Sequence, residues 1–525
     1  MREAPHSEAL PMSAAQPQPV VPAQPWRRQA AALWRFLNAH EGPFRERVLR
    51  SGVWQALGAV GARSAVLART VVVARLLSPQ AFGLMGVAQF ILEGFDACTQ
   101  LGHSSALVYR QERLAAAYDT AWVMAILRGL LLAGLVVLAA PYVAAFYGQP
   151  QLAAMLPVIA LGLAVQGLGN VHLAEYQRDL DFKRLALLRQ AAAALDLVVV
   201  AALAWWLRSA WALVIGSVAS YATKSALSFA LQRRWPRPRF RLGVARELAG
   251  YGKFVTGASA VTFLSTQLDN AIVGKLLGMQ ALGFYVLAYS LANMPYNYVT
   301  HVVSKVMFPT YSAIQHEPER LRAAFLKVLE ATATLTIPAA VLLAVLSPHI
   351  VSVVYGRKWL PMAVALQILC LQGVLRALAA AAAPLFLATG RPQYDFYLNL
   401  LRLAVMLATI VPLTLAWGIE GAAASVCLAM VAACVPALIF TWRTVAPRPA
   451  ALLAALGRPA AAALVMAAAL LAAAPRLPEP GVLVLLAEVL GAGGLWLLAL
   501  TLLNRRRLGR LWVRLAAAPW GGGSP

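Results

Sequence analysis

Residues 73–88 read VARLLSPQAFGLMGVA, and residues 273–288 read VGKLLGMQALGFYVLA. Seven of the sixteen positions are identical, and Arg75 is answered by Lys275. Each copy lies where two long apolar runs meet, so the duplicated unit is a hairpin of membrane-spanning helices. Internal symmetry is written this way in transporter sequences. The chain holds two related halves, and that organisation points to transport before any single residue does.

Composition agrees. Of 525 residues, 61% are hydrophobic and 13% charged, far more apolar surface than a soluble core of this length could hide. Cys98, Cys370, Cys427 and Cys434 sit inside apolar runs without the spacing of a metal site or a disulfide framework, and read as small packing residues. A net charge of +24 would suit nucleic acid only on a soluble basic surface. The placement of the charges argues for a membrane instead, with no nucleic-acid partner.

At about 20 mostly apolar residues per crossing, the expected fold is all-α with about 14 transmembrane helices, from 54–75 to 481–503. Two pseudo-symmetric six-helix lobes, 51–232 and 251–443, would be joined by a basic cytoplasmic linker at 233–250. Residues 444–525 would add two further spans and a basic tail carrying Arg505, Arg506, Arg507, Arg510 and Arg514. Residues 1–50 would be a cytoplasmic tail, ending in an interfacial amphipathic helix that places Trp26, Leu33, Trp34 and Leu37 opposite Arg27, Arg28 and Arg35. Alternating the loops puts 32 of the 45 Lys and Arg residues on the face holding both termini, 6 on the other and 7 within spans. The positive-inside rule then makes both termini cytoplasmic.

Charge within a span costs about 2.5–3.5 kcal/mol at the bilayer centre on insertion scales, so its position carries information. Gln89, Glu93, Asp96, Gln100 and His103 recur at helical spacing and share one face of the second span. Two hundred positions on, Tyr289, Asn293, Tyr296, Thr300 and Val303 form a mostly polar line. The seventh span carries Ser259, Thr262, Thr266 and Asp269, while its counterpart, the first, carries Arg63 and Arg69, with Arg69 equivalent to Asp269. Arg128, Asp196, Lys224, Lys305, Arg376, Arg402 and Glu488 are the other intramembrane charges. Lys224 and Lys305 read as snorkelling residues, Glu488 as a packing partner, and Asp196 as open between helix pairing and substrate contact. Arg63, Arg69, Arg128, Asn293, Arg376 and Arg402 are the candidate substrate-binding residues, and Glu93, Asp96 and Asp269 the candidate coupling acids. A lining with more basic than acidic groups would suit a phosphate-bearing or acidic-sugar cargo.

Several segments resemble the Wzx-type flippases of polysaccharide repeat units, in the colanic-acid-type branch of lipopolysaccharide export proteins. This family lies in the superfamily that also holds lipid II flippases and multidrug exporters. The resembling segments are LLSPQAFGLMGVAQFI at 76–91, ALVYRQE at 106–112, AAFYGQPQL at 144–152, YQRDLDFKRLAL at 176–187, LDNAIVGKLLG at 268–278, YGRKW at 355–359 and PLFLATGRPQ at 384–393. The resemblance implies two lobes around a central cavity that rock between access states, moving an undecaprenyl-pyrophosphate-linked oligosaccharide across a bacterial inner membrane. It also implies membrane lipids, a polysaccharide polymerase and a chain-length regulator as partners, with coupling to an H+ or Na+ gradient and no cofactor. The alternative is a cation-coupled multidrug exporter of the same fold. An enzyme is not expected: the loops are short, and no GxxxxGK[ST] loop for a nucleotide occurs.

Overall fold

The computed structural model describes residues 44–99, 114–178, 181–232, 234–473 and 481–516. Among them every regular element is helical. The long helices are α1 (Phe44–Leu76), α2 (Pro79–Cys98), α3 (Leu114–Tyr147), α4 (Pro150–Gly167), α5 (Phe182–Leu207), α6 (Trp211–Leu231) and α7 (Leu242–Ala292). They continue as α8 (Met294–Ala313), α9 (Pro318–Val345), α10 (Ala363–Ala388), α11 (Pro392–Val445), α12 (Pro449–Ala473) and α13 (Val482–Ala516). The expected interfacial helix at 26–37 lies outside the described residues, as do Gln100 and His103. So do the side chains of Thr300, Val303, Lys305 and the 505–514 cluster.

Ten helices among the described residues are long and apolar enough to cross a membrane. Large apolar side chains such as Leu138, Trp206, Leu438 and Leu483 point outward, a surface that only lipid can cover. The chain is a multi-pass membrane protein. Fourteen crossings are not reached by this measure. Of the long helices, α1, α6 and α8 fall outside the ten, and α8 is polar at its start, with Tyr296, Asn297 and Tyr298. α11, by contrast, covers two expected spans and breaks at Trp417 and Gly418.

The duplicated corner is built in two ways. In the first copy, Ser78 ends the turn after α1 and accepts a hydrogen bond from the Ala81 amide, with Pro79 opening α2. In the second, Gly278 stands in the place of Ser78 with φ 84° and ψ 177°, a backbone state open to glycine at little cost. α7 therefore turns on one residue.

The two copies meet each other. A Cβ built on Gly83 would fall 1.8 Å from the Met279 carbonyl oxygen, and one built on Gly283 would fall 1.8 Å from that of Pro79. The contact is reciprocal under the repeat, so the local two-fold axis passes between α2 and the second arm of α7. Around it lies the largest apolar core, with Val73, Leu84, Leu152, Met155, Tyr285, Trp359 and Leu366 all buried. Elsewhere α1 packs on α5, α3 on α4, and α4 on α6, while α8 and α9 pack on α10 and α7 on α11. α12 lies along α9, and α13 on α12. Glu488 of α13 receives the His349 ring nitrogen at 3.0 Å, from the helical turn Ser347–Ile350, which identifies the packing partner that its sequence position implied.

Candidate functional site

The polar face of the second half is assembled on α10, the second arm of α7 and α8. Leu366, Leu369 and Ala377 seat α10 in the core, and this carries Arg376 inward. Its Nη1 donates to the Tyr289 hydroxyl at 2.9 Å and to Asn293 Oδ1 at 3.2 Å. Its guanidinium lies over the Tyr296 ring, 4.4 Å from the centroid, a favourable arrangement for a cation away from water. Asn293 is fixed in turn: its Nδ2 donates to the Tyr289 carbonyl and to Gln372 Oε1. Arg402 of α11 donates to Asn399 Oδ1 at 3.3 Å and lies within electrostatic reach of Arg376 and Asp395. Asp269 is 2% exposed. Its Oδ2 accepts from Tyr285 at 2.6 Å, and its Oδ1 has no hydrogen-bond partner.

At the level of Glu93 and Arg63, polar side chains reach across between the halves. Glu93 on α2 accepts from Gln89 of its own helix at 3.0 Å and from Gln267 on α7 at 2.7 Å. Gln267 Oε1 in turn accepts from Asn270 at 2.6 Å. Arg63 on α1 extends towards Tyr298 on α8, 5.7 Å from the ring centroid, and its Nη1 is buried without a hydrogen-bond partner. Arg63 of the first half and Arg376 of the second thus each approach an aromatic ring of α8, Tyr298 and Tyr296 respectively.

Two of the expected basic residues are engaged inside the first half. Arg69 pairs with Asp196 of α5 at 2.9 Å, not with its repeat counterpart Asp269, which bonds Tyr285. Asp196 thereby has its helix partner. Arg128 of α3 reaches the end of α2, where it meets Asp96 Oδ1 at 2.6 Å, the Asp96 carbonyl at 3.0 Å and the Thr99 carbonyl at 2.9 Å. That arrangement caps a helix C-terminus with a cation, and it joins one expected coupling acid to one expected substrate ligand. Lys224 turns onto the ring of Tyr221 on its own helix.

Gln267, Gln372 and Tyr298 were missed by a search for intramembrane charge. Gln267 is the one that ties the halves together through Glu93. The available signal was the burial cost of any amide in an apolar run, which applies to Gln and Asn as well as to ions.

A family model described as polysaccharide biosynthesis protein matches residues 72–364. The chain is 26% identical over 375 residues to the lipopolysaccharide biosynthesis protein WzxC of Escherichia coli (strain K12), covering 70% of this chain and 75% of that one. It is 26% identical over 299 residues to the teichuronic acid biosynthesis protein TuaB of Bacillus subtilis (strain 168), covering 57% of this chain and 62% of the relative. Among solved structures, lipid II flippase MurJ in an inward closed conformation superposes with a TM-score of 0.68 at 14% identity, over 87% of this chain and 100% of that one. The fold is shared at that distance.

Proposed function

The chain belongs to the polysaccharide biosynthesis protein family, and on that premise we propose that it is a flippase for an undecaprenyl-pyrophosphate-linked oligosaccharide in a bacterial inner membrane. The observation that carries the reading is the convergence of Arg63 from the first half and Arg376 from the second on the aromatic residues Tyr298 and Tyr296 of α8. A glycan and a diphosphate need a polar, cation-bearing route, while a prenyl tail can stay in lipid. Guanidinium groups suit phosphate and carboxylate oxygens because they offer paired donors. Aromatic faces hold those guanidiniums ready without neutralising them.

Both termini are cytoplasmic in this proposal, and transport proceeds by alternating access with no chemical step on the cargo. Glu93, which links the halves through Gln267, is the proposed site of coupling to an H+ or Na+ gradient. A polysaccharide polymerase and a chain-length regulator would act on the delivered units.

Deletion of the gene, followed by complementation, tests the reading. Loss of surface polysaccharide with lipid-linked units accumulating in the inner leaflet is the expected result. Normal polysaccharide together with drug sensitivity would overturn it in favour of a multidrug exporter.

A further inference from the structure

The end of α1 and the first arm of α7, just before the Gly278 bend, carry equivalent cations, Arg75 and Lys275, and each reaches into the opposite half. Arg75 Nε donates to the Val354 carbonyl at 2.8 Å, and its Nη2 bonds the Val353 carbonyl. Lys275 Nζ bonds the Phe146 carbonyl and lies over the Phe146 ring, 4.5 Å from the centroid. Phe146 and Val354 are themselves related. Each precedes a Tyr-Gly pair, Tyr147-Gly148 at the end of α3 and Tyr355-Gly356 at the end of the π-helical turn Val351–Tyr355. The two halves therefore clasp each other by the same bond made twice.

One side carries more. Lys358 Nζ donates to the Arg75 carbonyl at 2.9 Å and the Leu77 carbonyl at 2.7 Å, and Trp359 Nε1 donates to the Ala74 carbonyl at 2.9 Å. The Trp359 ring is fully buried. It meets Phe82 of the first half edge-on at 5.1 Å and Phe284 of the second at 5.8 Å. At the related positions after Tyr147-Gly148 stand Pro150 and Gln151, which offer neither an ammonium nor an indole.

The acceptors have a common character. They are carbonyls of a closing helical turn, the groups that a helix leaves without a partner of its own. A cation is favoured there, and water can replace it when the halves separate, so each bond has a small net worth and can be broken and remade. All of these turns lie on the face opposite the 232–241 linker, the periplasmic face in the orientation proposed above.

We propose that Arg75, Lys275, Lys358 and Trp359 are positioning residues that latch this face shut and set how readily it opens during transport. The proposal rests on the flippase reading only for the cargo that opening would release. The latch is uneven: the Arg75–Lys358–Trp359 corner holds more tightly than the Lys275 corner, so the Lys275 corner yields first.

Gln80 and Gln280 are equivalent, exposed and adjacent to the latch. Spin labels at Gln80→Cys and Gln280→Cys, in protein lacking Cys98, Cys370, Cys427 and Cys434 and held in lipid nanodiscs, read the separation directly by pulsed electron resonance. The parent is expected to show one short distance. Each of Arg75→Gln and Lys358→Gln should shift the closed-to-open ratio by about tenfold, and the combined Arg75→Gln, Lys275→Gln, Lys358→Gln variant should show a distinct longer distance. Arg75→Lys with Lys275→Arg should keep the parent distribution, since each end retains its cation. All three glutamine sites are exposed, so folding is not at stake as it is for Trp359. An unchanged distribution in the combined variant overturns the latch. The measurement uses no cargo: a polysaccharide-positive deletion strain would remove the flippase reading while leaving these distances to judge the latch alone.

Discussion

Arg69 and Asp196 lie 2.9 Å apart, Asp196 being 7% exposed and Arg69 30%. Removing one partner strands the other, and an uncompensated charge of this kind costs about 3–5 kcal/mol. Arg69→Ala is therefore expected to lower the melting temperature in detergent, and Arg69→Asp with Asp196→Arg to recover most of it. Arg69→Asp with Asp269→Arg should recover nothing, because Asp269 already serves Tyr285. At the end of α2 the expectation is graded. Arg128→Ala loses the cap on Asp96 and Thr99 together, whereas Asp96→Asn leaves both carbonyl acceptors in place. Thermal unfolding should rank Arg128→Ala as clearly the more damaging of the two.

At the scale of the helices, the duplicated corners make a test of backbone proximity. Gly83→Ala and Gly283→Ala each drive a methyl group into a main-chain carbonyl 1.8 Å away, which has no rotamer to move, so folded yield should fall sharply. Gly86→Ala meets side chains alone, a Val286 methyl at 3.2 Å and Leu282 at 3.7 Å, and should be tolerated, with yield close to the parent by fluorescence size-exclusion chromatography. The hairpin itself was legible in sequence because identities at Leu76, Leu77, Gln80, Ala81 and Gly83 survive in both copies. What could not be read was the manner of each turn. Ser78 caps a new helix where Gly278 merely bends an old one, and only the backbone dihedrals separate those outcomes. Spans were legible where they face lipid, since hydropathy measures that exposure. α8, with Tyr296, Asn297 and Tyr298 near its start, is too polar to register because its composition serves the interior.

For the molecule as a whole, the polar residues were visible but their partners were not. Glu93, Asp269, Arg376 and Asn293 stand out against an apolar background, yet which helix faces which is decided by packing between segments far apart in the chain. Helical spacing placed Glu93 and Asp96 on one face, and the structure divides them, Asp96 to Arg128 and Glu93 to Gln267 of the other half. A carboxylate joining two bodies that move against each other can transmit its charge state to their separation. Glu93→Gln keeps the shape and one of the two acceptor oxygens but removes the charge, and the Gln89 amide can turn its oxygen towards the new NH2 group. It should leave the melting temperature within about a degree or two while abolishing the response of transport to an imposed H+ or Na+ gradient in proteoliposomes. Retention of that response would take Glu93 out of coupling.

The meeting of Gly83 with Met279 and of Gly283 with Pro79 is the pattern of an isologous interface, in which each member of a pair presents to the other the surface it receives. One chain here carries what two identical subunits would have made. At the axis, a change on one side must be matched on the other if the contact is to survive. A single chain need not keep every contact in pairs, and Trp359, related by the repeat to Gln151, shows it: a wedge on one side that a symmetric pair could own only twice or not at all.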